Sequence, residues 1–280
     1  MKIQLTKFDK VFLSLIIVGY AIIMIYILST GYQFPKLGED VGQRWIYQLP
    51  FGDSLFSRIN PMTIFMSWVI MIVLIAFAAS IKVFEIIPGR KQSLIEMLLD
   101  YLLELTKDAV PKEEFIRPTF NIAATLFLFI FIANVISGFP GIQAVPKNGG
   151  VVFTIFEDTW YTPTSDLNTN ATFAVMILFI SHAFAIKAKG FGKWFKGFFE
   201  PSPIMFPMNL IGELAKPVSH SLRLFGNIMG GGLLVLIISY LTKYFLMPTF
   251  LWGFFGIFVG TIQALVFTIL AIAYIGSVIE

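Results

Sequence analysis

Apolar residues occur along this chain in runs that are long enough to cross a membrane. The runs lie within 1–31, 61–87, 119–139 and 170–187, and two more lie within 201–280. Crossing a hydrocarbon core of roughly 30 Å takes about 20 apolar residues in helical conformation. The pattern therefore predicts an all-α polytopic membrane protein with about six transmembrane helices, which form a single membrane domain over residues 1–280.

Residues 91–108 have a different pattern, which predicts an amphipathic helix. Leu94, Leu98 and Leu102 recur at helical spacing, whereas Glu96 and Asp100 occupy the other side. A segment with this many charges does not cross a membrane, so we expect it to lie on the cytoplasmic surface or against a neighbouring subunit.

The last 80 residues predict two helices that are unusually long, with a turn near Pro248. No strong break follows Pro217, and the segment from there to Tyr244 extends about 40 Å as a helix. This is longer than the hydrocarbon core is thick, so both helices must be steeply tilted. We expect 201–280 to form a tilted hairpin.

The positions of the lysines predict how the chain is oriented in the membrane. Lys2, Lys7 and Lys10 precede the first span, and the most basic short loop, at 187–196, follows the fourth. The positive-inside rule then places both termini in the cytoplasm. No transit peptide is visible, which favours a bacterial plasma membrane.

Composition excludes several function classes. The chain has 280 residues, of which 57% are hydrophobic and 13% charged, so it is not a soluble domain. It has no cysteine, which excludes disulfides, thiolate metal sites and a cysteine nucleophile. Neither GxxxxGK[ST], HExxH nor GxSxG occurs, so we expect no nucleotide site, no hydrolytic enzyme, no cofactor and no nucleic-acid partner.

Arg223 is the strongest candidate for a functional residue, because it lies in the middle of an apolar helix. A guanidinium cannot lose its proton to escape the bilayer, so it needs a counter-charge, water or lipid headgroups. Helical spacing places it on or near one polar face together with Lys216, Ser219, His220 and Asn227.

The charge that balances Arg223 is expected on another chain. The apolar spans contain hardly any acid, and Glu213 is about 15 Å away along the same helix. The alternative is a structural pairing with a carboxylate elsewhere in this chain. Gly226 and Gly230–Gly232 strip the same helix of side chains, which lets another helix approach closely.

Several stretches resemble subunit a of the F-type ATP synthase of bacteria. The resemblance runs from about Ile59 to the C-terminus and rests on IPGRKQSLIEM at 87–97, PTSDLNTNATF at 163–173, SHSLRLFGN at 219–227 and Gln263. It implies a non-catalytic stator subunit that faces the c-ring and is joined to peripheral-stalk b subunits and membrane lipid. The segment 1–31 is an addition to the family pattern.

The resemblance also implies the role of Arg223. In the family, the arginine passes H⁺ or Na⁺ between c-ring carboxylates and two aqueous half-channels, which couples ion flow to rotation and ATP synthesis. Asn227 and Gln263 would line this path or orient the guanidinium, although a structural interhelical hydrogen bond is an equal alternative for Gln263. Ser219 would hydrate the path or bond back to its own helix.

Polar residues at the two membrane faces are candidates for the half-channels. Glu213 and His220 are expected in the inner one, with Lys216 at its mouth or simply snorkelling to the interface. The outer entrance is expected to contain four residues, although such residues also cap helices routinely. These are Asn134, Asp166, Asn168 and Asn170. His182 is interpreted as a core histidine.

The chain departs from the family pattern at Gly232 and Gly256, where many proton-driven members carry a carboxylate or histidine. A proton relay through those side chains is therefore excluded, and the coupling ion stays open. The alternative function is a self-contained secondary ion transporter. Such a transporter normally shows inverted repeats or paired broken helices, and the sequence has neither.

Overall fold

The structure is a computed structural model that describes residues 46–48, 50, 58–80, 89–147, 150–241, 250–251 and 253–280. Seven α-helices are described, namely α1 (Pro61–Ser80), α2 (Arg90–Ala109), α3 (Glu113–Ile136), α4 (Leu167–Lys189), α5 (Phe191–Gly197), α6 (Phe206–Leu241) and α7 (Gly260–Ile279). A π-helical segment, Phe254–Val259, leads directly into α7.

Five of the described helices are long and apolar enough to cross a membrane. They are α1, α3, α4, α6 and, taken together, the π-helical segment with α7. The predicted all-α polytopic fold is therefore confirmed. The predicted span within 1–31 lies outside the described residues.

The helix bounds follow the predicted ones, with differences at the ends. α2 extends one residue beyond 91–108 on each side, and α4 begins at Leu167 because Asp166 caps it. α3 begins at Glu113, well before the predicted 119, and passes through Pro118. Glu113 and Glu114 favour this earlier start, since acidic side chains stabilise the positive end of the helix dipole.

The connection between α3 and α4 contains a β-hairpin where the pattern predicts only a loop. β3 (Pro140–Lys147) pairs antiparallel with β4 (Gly150–Thr159), with Lys147 opposite Gly150 at the turn. A smaller pair, β1 (Tyr47–Gln48) with β2 (Arg58–Ile59), precedes α1. The prediction of a plain loop was wrong because β4 is rich in β-branched residues, which favour extended backbone.

The α5 helix was also not predicted. It has seven residues in the lysine-rich connection between α4 and α6. Gly190, whose φ of 83° few other residues adopt, ends α4 and lets the chain turn into α5. α5 therefore begins directly after the chain changes direction at the end of α4.

α3 and α7 lie at the centre of the bundle. The main cluster of buried apolar side chains joins them to α2, α4 and α6 through Leu102, Ile130, Ile177, Leu224 and Phe267. A second cluster packs Val110 and Phe115 against the end of α7. α6 thereby presents one face to the bundle and leaves the other uncovered by the described chain.

Glycines permit the closest helix contacts in this centre. A Cβ at Gly256 would lie 2.5 Å from the Cα of Gly138, just beyond the end of α3. A Cβ at Gly276 would collide with the carbonyl oxygen of Ala109 at the end of α2. The backbones of the π-helical segment and of α7 therefore come closest to their neighbours at glycines.

Replacing Gly276 by alanine should destabilise the chain. The backbone carbonyl of Ala109 cannot move without shifting α2, so we expect a loss of about 1–3 kcal/mol, typical of overpacking. Thermal unfolding of the purified chain in detergent measures the effect.

Gly232→Ala is the matched control, because no atom lies within 4 Å of a Cβ at that helical position. Alanine there should be neutral or should stabilise the helix by up to about 1 kcal/mol. Equal unfolding temperatures for the two variants would contradict the close contact at Gly276.

Candidate functional site

Arg223 lies near the middle of α6, on the side that the rest of the described chain leaves open. Its side chain is exposed on a shallow apolar surface, in which the adjacent residues are Val218, Ser219 and Leu222. Among the described residues no carboxylate forms an ion pair with it, since both ion pairs found involve Glu213. The described chain therefore holds a permanent positive charge on an apolar surface without its balancing charge.

The predicted polar face divides into two sides in the structure. Ser219, Arg223 and Asn227 lie on the exposed side of α6, whereas His220 is buried against α7. Lys216 is half-buried and turns toward Glu213. Only three of the five residues are therefore available to anything that approaches the open side.

Glycines make part of this open surface smooth. Gly226 and Gly230 are exposed, and no atom lies within 4 Å of a Cβ at either position. Gly231 instead faces the bundle, where the ring of Phe255 packs against it. The predicted close approach of another helix therefore has space next to Arg223, and nothing in the described chain fills it.

A hydrogen bond between amides joins α6 to α7 one turn from Arg223. Asn227 donates through Nδ2 to Oε1 of Gln263 at 2.5 Å, and Gln263 is buried with its own Nε2 unpaired. An interhelical hydrogen bond was one of the two alternatives for Gln263, and the structure contains it. The predicted turn near Pro248 lies outside the described residues.

A second polar contact joins the same helices on the other side of Arg223. Nε2 of His220 lies 3.1 Å from the carbonyl oxygen of Phe267, which accepts its hydrogen, and the two rings are in contact with centroids 3.8 Å apart. His220 is 1% exposed, and its Nδ1 has no partner. Arg223 thus lies between two levels at which α6 is fixed to α7.

A charged cluster forms where α4, α6 and α7 meet, toward the end of the bundle that carries Lys189. Glu213 accepts a hydrogen bond from Lys216 at 2.5 Å, and its other oxygen lies 3.7 Å from Nε2 of His182. Trp194 of α5 donates to Nδ1 of the same histidine at 3.2 Å. His182 is therefore part of a polar cluster and not an isolated core histidine.

Two members of this cluster were missed by the sequence analysis. Trp194 orients His182, and the ring of Tyr274 lies 5.7 Å from Nζ of Lys216. A small cavity here is lined by Ser181, Glu213, Lys216 and Tyr274 among others. No sequence signal pointed to Tyr274, because its contact depends on how α7 packs against α6.

At the opposite end of the bundle, Asp166 joins α4 to α1. One carboxylate oxygen accepts the backbone N–H of Asn168 at 3.0 Å, which caps α4, and the other accepts the hydroxyl of Thr63 at 3.0 Å. Asn168 itself is exposed. Asp166 therefore caps α4, as one of the predicted alternatives had it, and its bond to Thr63 also joins α4 to α1.

Asn134 and Asn170 are buried in the same region. Asn134 donates to the carbonyl of Gly260 at 3.0 Å and accepts the hydroxyl of Thr164 at 2.8 Å. Asn170 donates to the backbone oxygen of Thr164 at 2.7 Å, while its own side-chain oxygen has no partner. Both therefore hold α3, α4 and α7 together around the turn at Pro163–Ser165.

The geometry defines what this arrangement can do. An exposed guanidinium on an apolar, glycine-smoothed surface can attract an anionic group that moves past it. Polar clusters lie toward each end of the same bundle.

Comparisons with known proteins agree with this geometry. Residues 62–276 match the family described as ATP synthase A chain. A sodium ion specific ATP synthase subunit a of Propionigenium modestum is 36% identical, over 83% of this chain and 81% of that protein. An ATP synthase subunit a of Moorella thermoacetica is 38% identical, over 78% of this chain and 90% of that protein.

The family match covers all of the polar clusters described above. It begins one residue into α1 and ends within the last turn of α7, so it includes every described membrane-spanning helix. The chain belongs to the ATP synthase subunit a family and is an ion-translocating membrane subunit of the stator, not a catalytic one.

Proposed function

We propose that Arg223 is the charge that a rotating ring of c-subunits passes, and that the missing counter-charge is the ion-carrying carboxylate of each c-subunit. The observation that carries this proposal is the exposed, unpaired guanidinium on the open apolar side of α6. Gly226 and Gly230 support it, since their bare backbone lets a c-subunit helix come close.

The mechanism is electrostatic. A carboxylate that approaches Arg223 is stabilised in its charged form, so it releases its bound H⁺ or Na⁺. After it passes the arginine, it takes up an ion from the other side. The fixed positive charge also repels cations between the two half-channels, so ions cross only with the turning ring.

The charged cluster at Glu213 is the proposed inner half-channel. Glu213 offers a carboxylate to an entering cation, and Lys216 and His182 hold it in place. His220 lies deeper, toward Arg223, and its unpaired Nδ1 can accept a hydrogen bond from water in this path. Its contact with Phe267 also fixes α6 against α7.

The outer half-channel is proposed at the Asp166 end. Asp166 and Asn168 are accessible there and would form the entrance. Asn134 and Asn170 are buried, so they would support the wall of the path, and the unpaired oxygen of Asn170 would face its water. Ser219 lies on the open side of α6, where it would hydrate the contact with the c-ring.

Two observations favour Na⁺ over H⁺ as the ion. The Propionigenium relative is described as sodium ion specific. At Gly256 the backbone of Gly138 leaves no room for a titratable side chain, and the glycine at position 232 also supplies no titratable group. We also propose that this protein contacts the peripheral-stalk b subunits. We expect it in a bacterial plasma membrane.

Arg223→Ala should abolish ATP-driven ion transport by the assembled complex in liposomes. Without the guanidinium, c-ring carboxylates keep their ions and the two half-channels are no longer separated. Transport and passive leak under a potential should be recorded with sodium present and absent, and sodium dependence of the unmutated complex identifies the ion.

Arg117→Ala is the matched control, because Arg117 is an exposed arginine near the start of a different helix, α3. It should leave transport unchanged. Surviving transport in Arg223→Ala, with the complex intact, would make Arg223 structural and would refute the proposal.

Asn227→Leu and Gln263→Leu should each slow transport by about two- to tenfold, the factor that corresponds to loss of one net hydrogen bond. Because the two amides bond to each other, the double variant should be no slower than the slower single variant. A change in unfolding temperature without any change in transport would show that the pair is only structural.

Glu213→Gln should slow transport by about fivefold, equivalent to about 1 kcal/mol at a half-buried ion pair. The substitution leaves the ammonium of Lys216 without its carboxylate, so the mouth repels cations. Glu114→Gln removes an exposed carboxylate on α3 and is the control. Equal rates for the two variants would remove Glu213 from the inner path.

A further inference from the structure

The connection between α4 and α6 is the most basic part of the described chain and also exposes large aromatic residues. Together with the last turn of α4 it contains four lysines, at 187, 189, 193 and 196, against the single acid Glu200. Phe191 is 64% exposed, Phe195 is 50% exposed, and their rings are stacked 6.3 Å apart. The proposed function uses neither the lysines nor the aromatic pair.

α5 separates these two kinds of side chain onto different faces. With about 100° per residue, Phe191 and Phe195 lie on one face of α5, and Lys193 lies roughly opposite them. Lys196 is displaced by about 120° from the aromatic face. An apolar face opposite a lysine face is the pattern of a helix that lies in the plane of a membrane interface.

The connection is held in a fixed orientation by the spans on both sides. Trp194 donates its indole hydrogen to His182 of α4 at 3.2 Å. Asn209 of α6 donates to the carbonyl oxygens of Phe198 and Glu200, at 3.0 Å and 3.1 Å. Because α4 and α6 both cross the membrane, the short α5 between them lies at its surface.

The two lysines of α5 are free to bind an external anion. Lys193 and Lys196 are exposed, and neither forms an ion pair within the described chain. In the last turn of α4, by contrast, Nζ of Lys187 lies 5.7 Å from the centre of the Phe115 ring. Two exposed lysines are therefore available on α5 itself.

We propose that α5 is a binding site for anionic phospholipid, in which Phe191 and Phe195 enter the acyl region and Lys193 and Lys196 bind the headgroup phosphate. Phenylalanine is typical of the apolar face of an interfacial helix, which is buried at the boundary between headgroups and acyl chains. Each lysine near an anionic membrane surface contributes about a fivefold preference over neutral lipid. Exposed aromatic rings opposite the lysines fit a lipid, which offers an apolar and an anionic part side by side.

The site also has a route to the ion path. Trp194 lies between the exposed pair on α5 and the histidine that faces Glu213. A lipid that holds α5 at the membrane surface therefore fixes the orientation of His182 as well.

Photo-crosslinking of the full chain tests the site. The purified protein is placed in phosphatidylcholine nanodiscs that contain a trace of photoactivatable phosphatidylglycerol or, separately, photoactivatable phosphatidylcholine. Labelling of residues 191–199 is quantified by peptide mass spectrometry. We expect phosphatidylglycerol to label this stretch at least fivefold more than phosphatidylcholine does, with the preference falling at high salt.

Two double variants test the lysines and the aromatic residues of the site separately. Lys193→Gln with Lys196→Gln should abolish the preference for phosphatidylglycerol and leave labelling by phosphatidylcholine unchanged. Phe191→Ala with Phe195→Ala should lower labelling by both lipids. The control, Lys107→Gln with Arg117→Gln, makes the same change in charge at exposed residues outside α5 and should have no effect.

Three results would overturn the proposal. They are equal labelling by the two lipids in the unmutated chain, an equal loss of preference in the control variant, and disappearance of the label once the chain is assembled with its partner subunits. The last result would make α5 a protein interface. None of these results depends on ion transport, so the lipid site and the role of Arg223 succeed or fail separately.

Discussion

Arg223 keeps a full positive charge halfway along an apolar helix, and no carboxylate of the described chain pairs with it. In a membrane such a charge requires compensation, because a guanidinium cannot become neutral by losing a proton. The described structure provides for compensation from outside. It leaves one side of α6 open, lines that side with apolar residues and glycines, and directs its own carboxylate, Glu213, to Lys216.

The position of the arginine depends on how firmly α6 is held from behind. Leu224 is fully buried in the main cluster, on the opposite side of the helix from the open face. Polar contacts to α7 occur above and below the arginine, through Asn227 and His220. Each contact is worth little by itself, but together they prevent α6 from rotating the charge away from the open side.

The two long helices, α6 and α7, differ in how closely their glycines are packed. At the glycines of α7, atoms of neighbouring segments occupy the space that a side chain would need, as Ala109 does at Gly276. α7 is therefore closely packed in the centre of the bundle. Most glycines of α6 have nothing within 4 Å. The same residue type thus permits close packing of one helix inside this chain and leaves open surface on the other, and only the surroundings distinguish the two cases.

The sequence by itself determined the class of protein and singled out Arg223 as a candidate. Apolar runs and an arginine in an apolar helix are local properties, and the runs predicted the polytopic helical fold that the structure has. Only the tertiary structure decided which polar residues are buried and which are exposed. His220 and Asn227 share a predicted face, yet packing buries the former and exposes the latter. Contacts such as His182 with Trp194 and Asn134 with Gly260 join residues that are distant in the chain or lie in different elements, so no helical period encodes them.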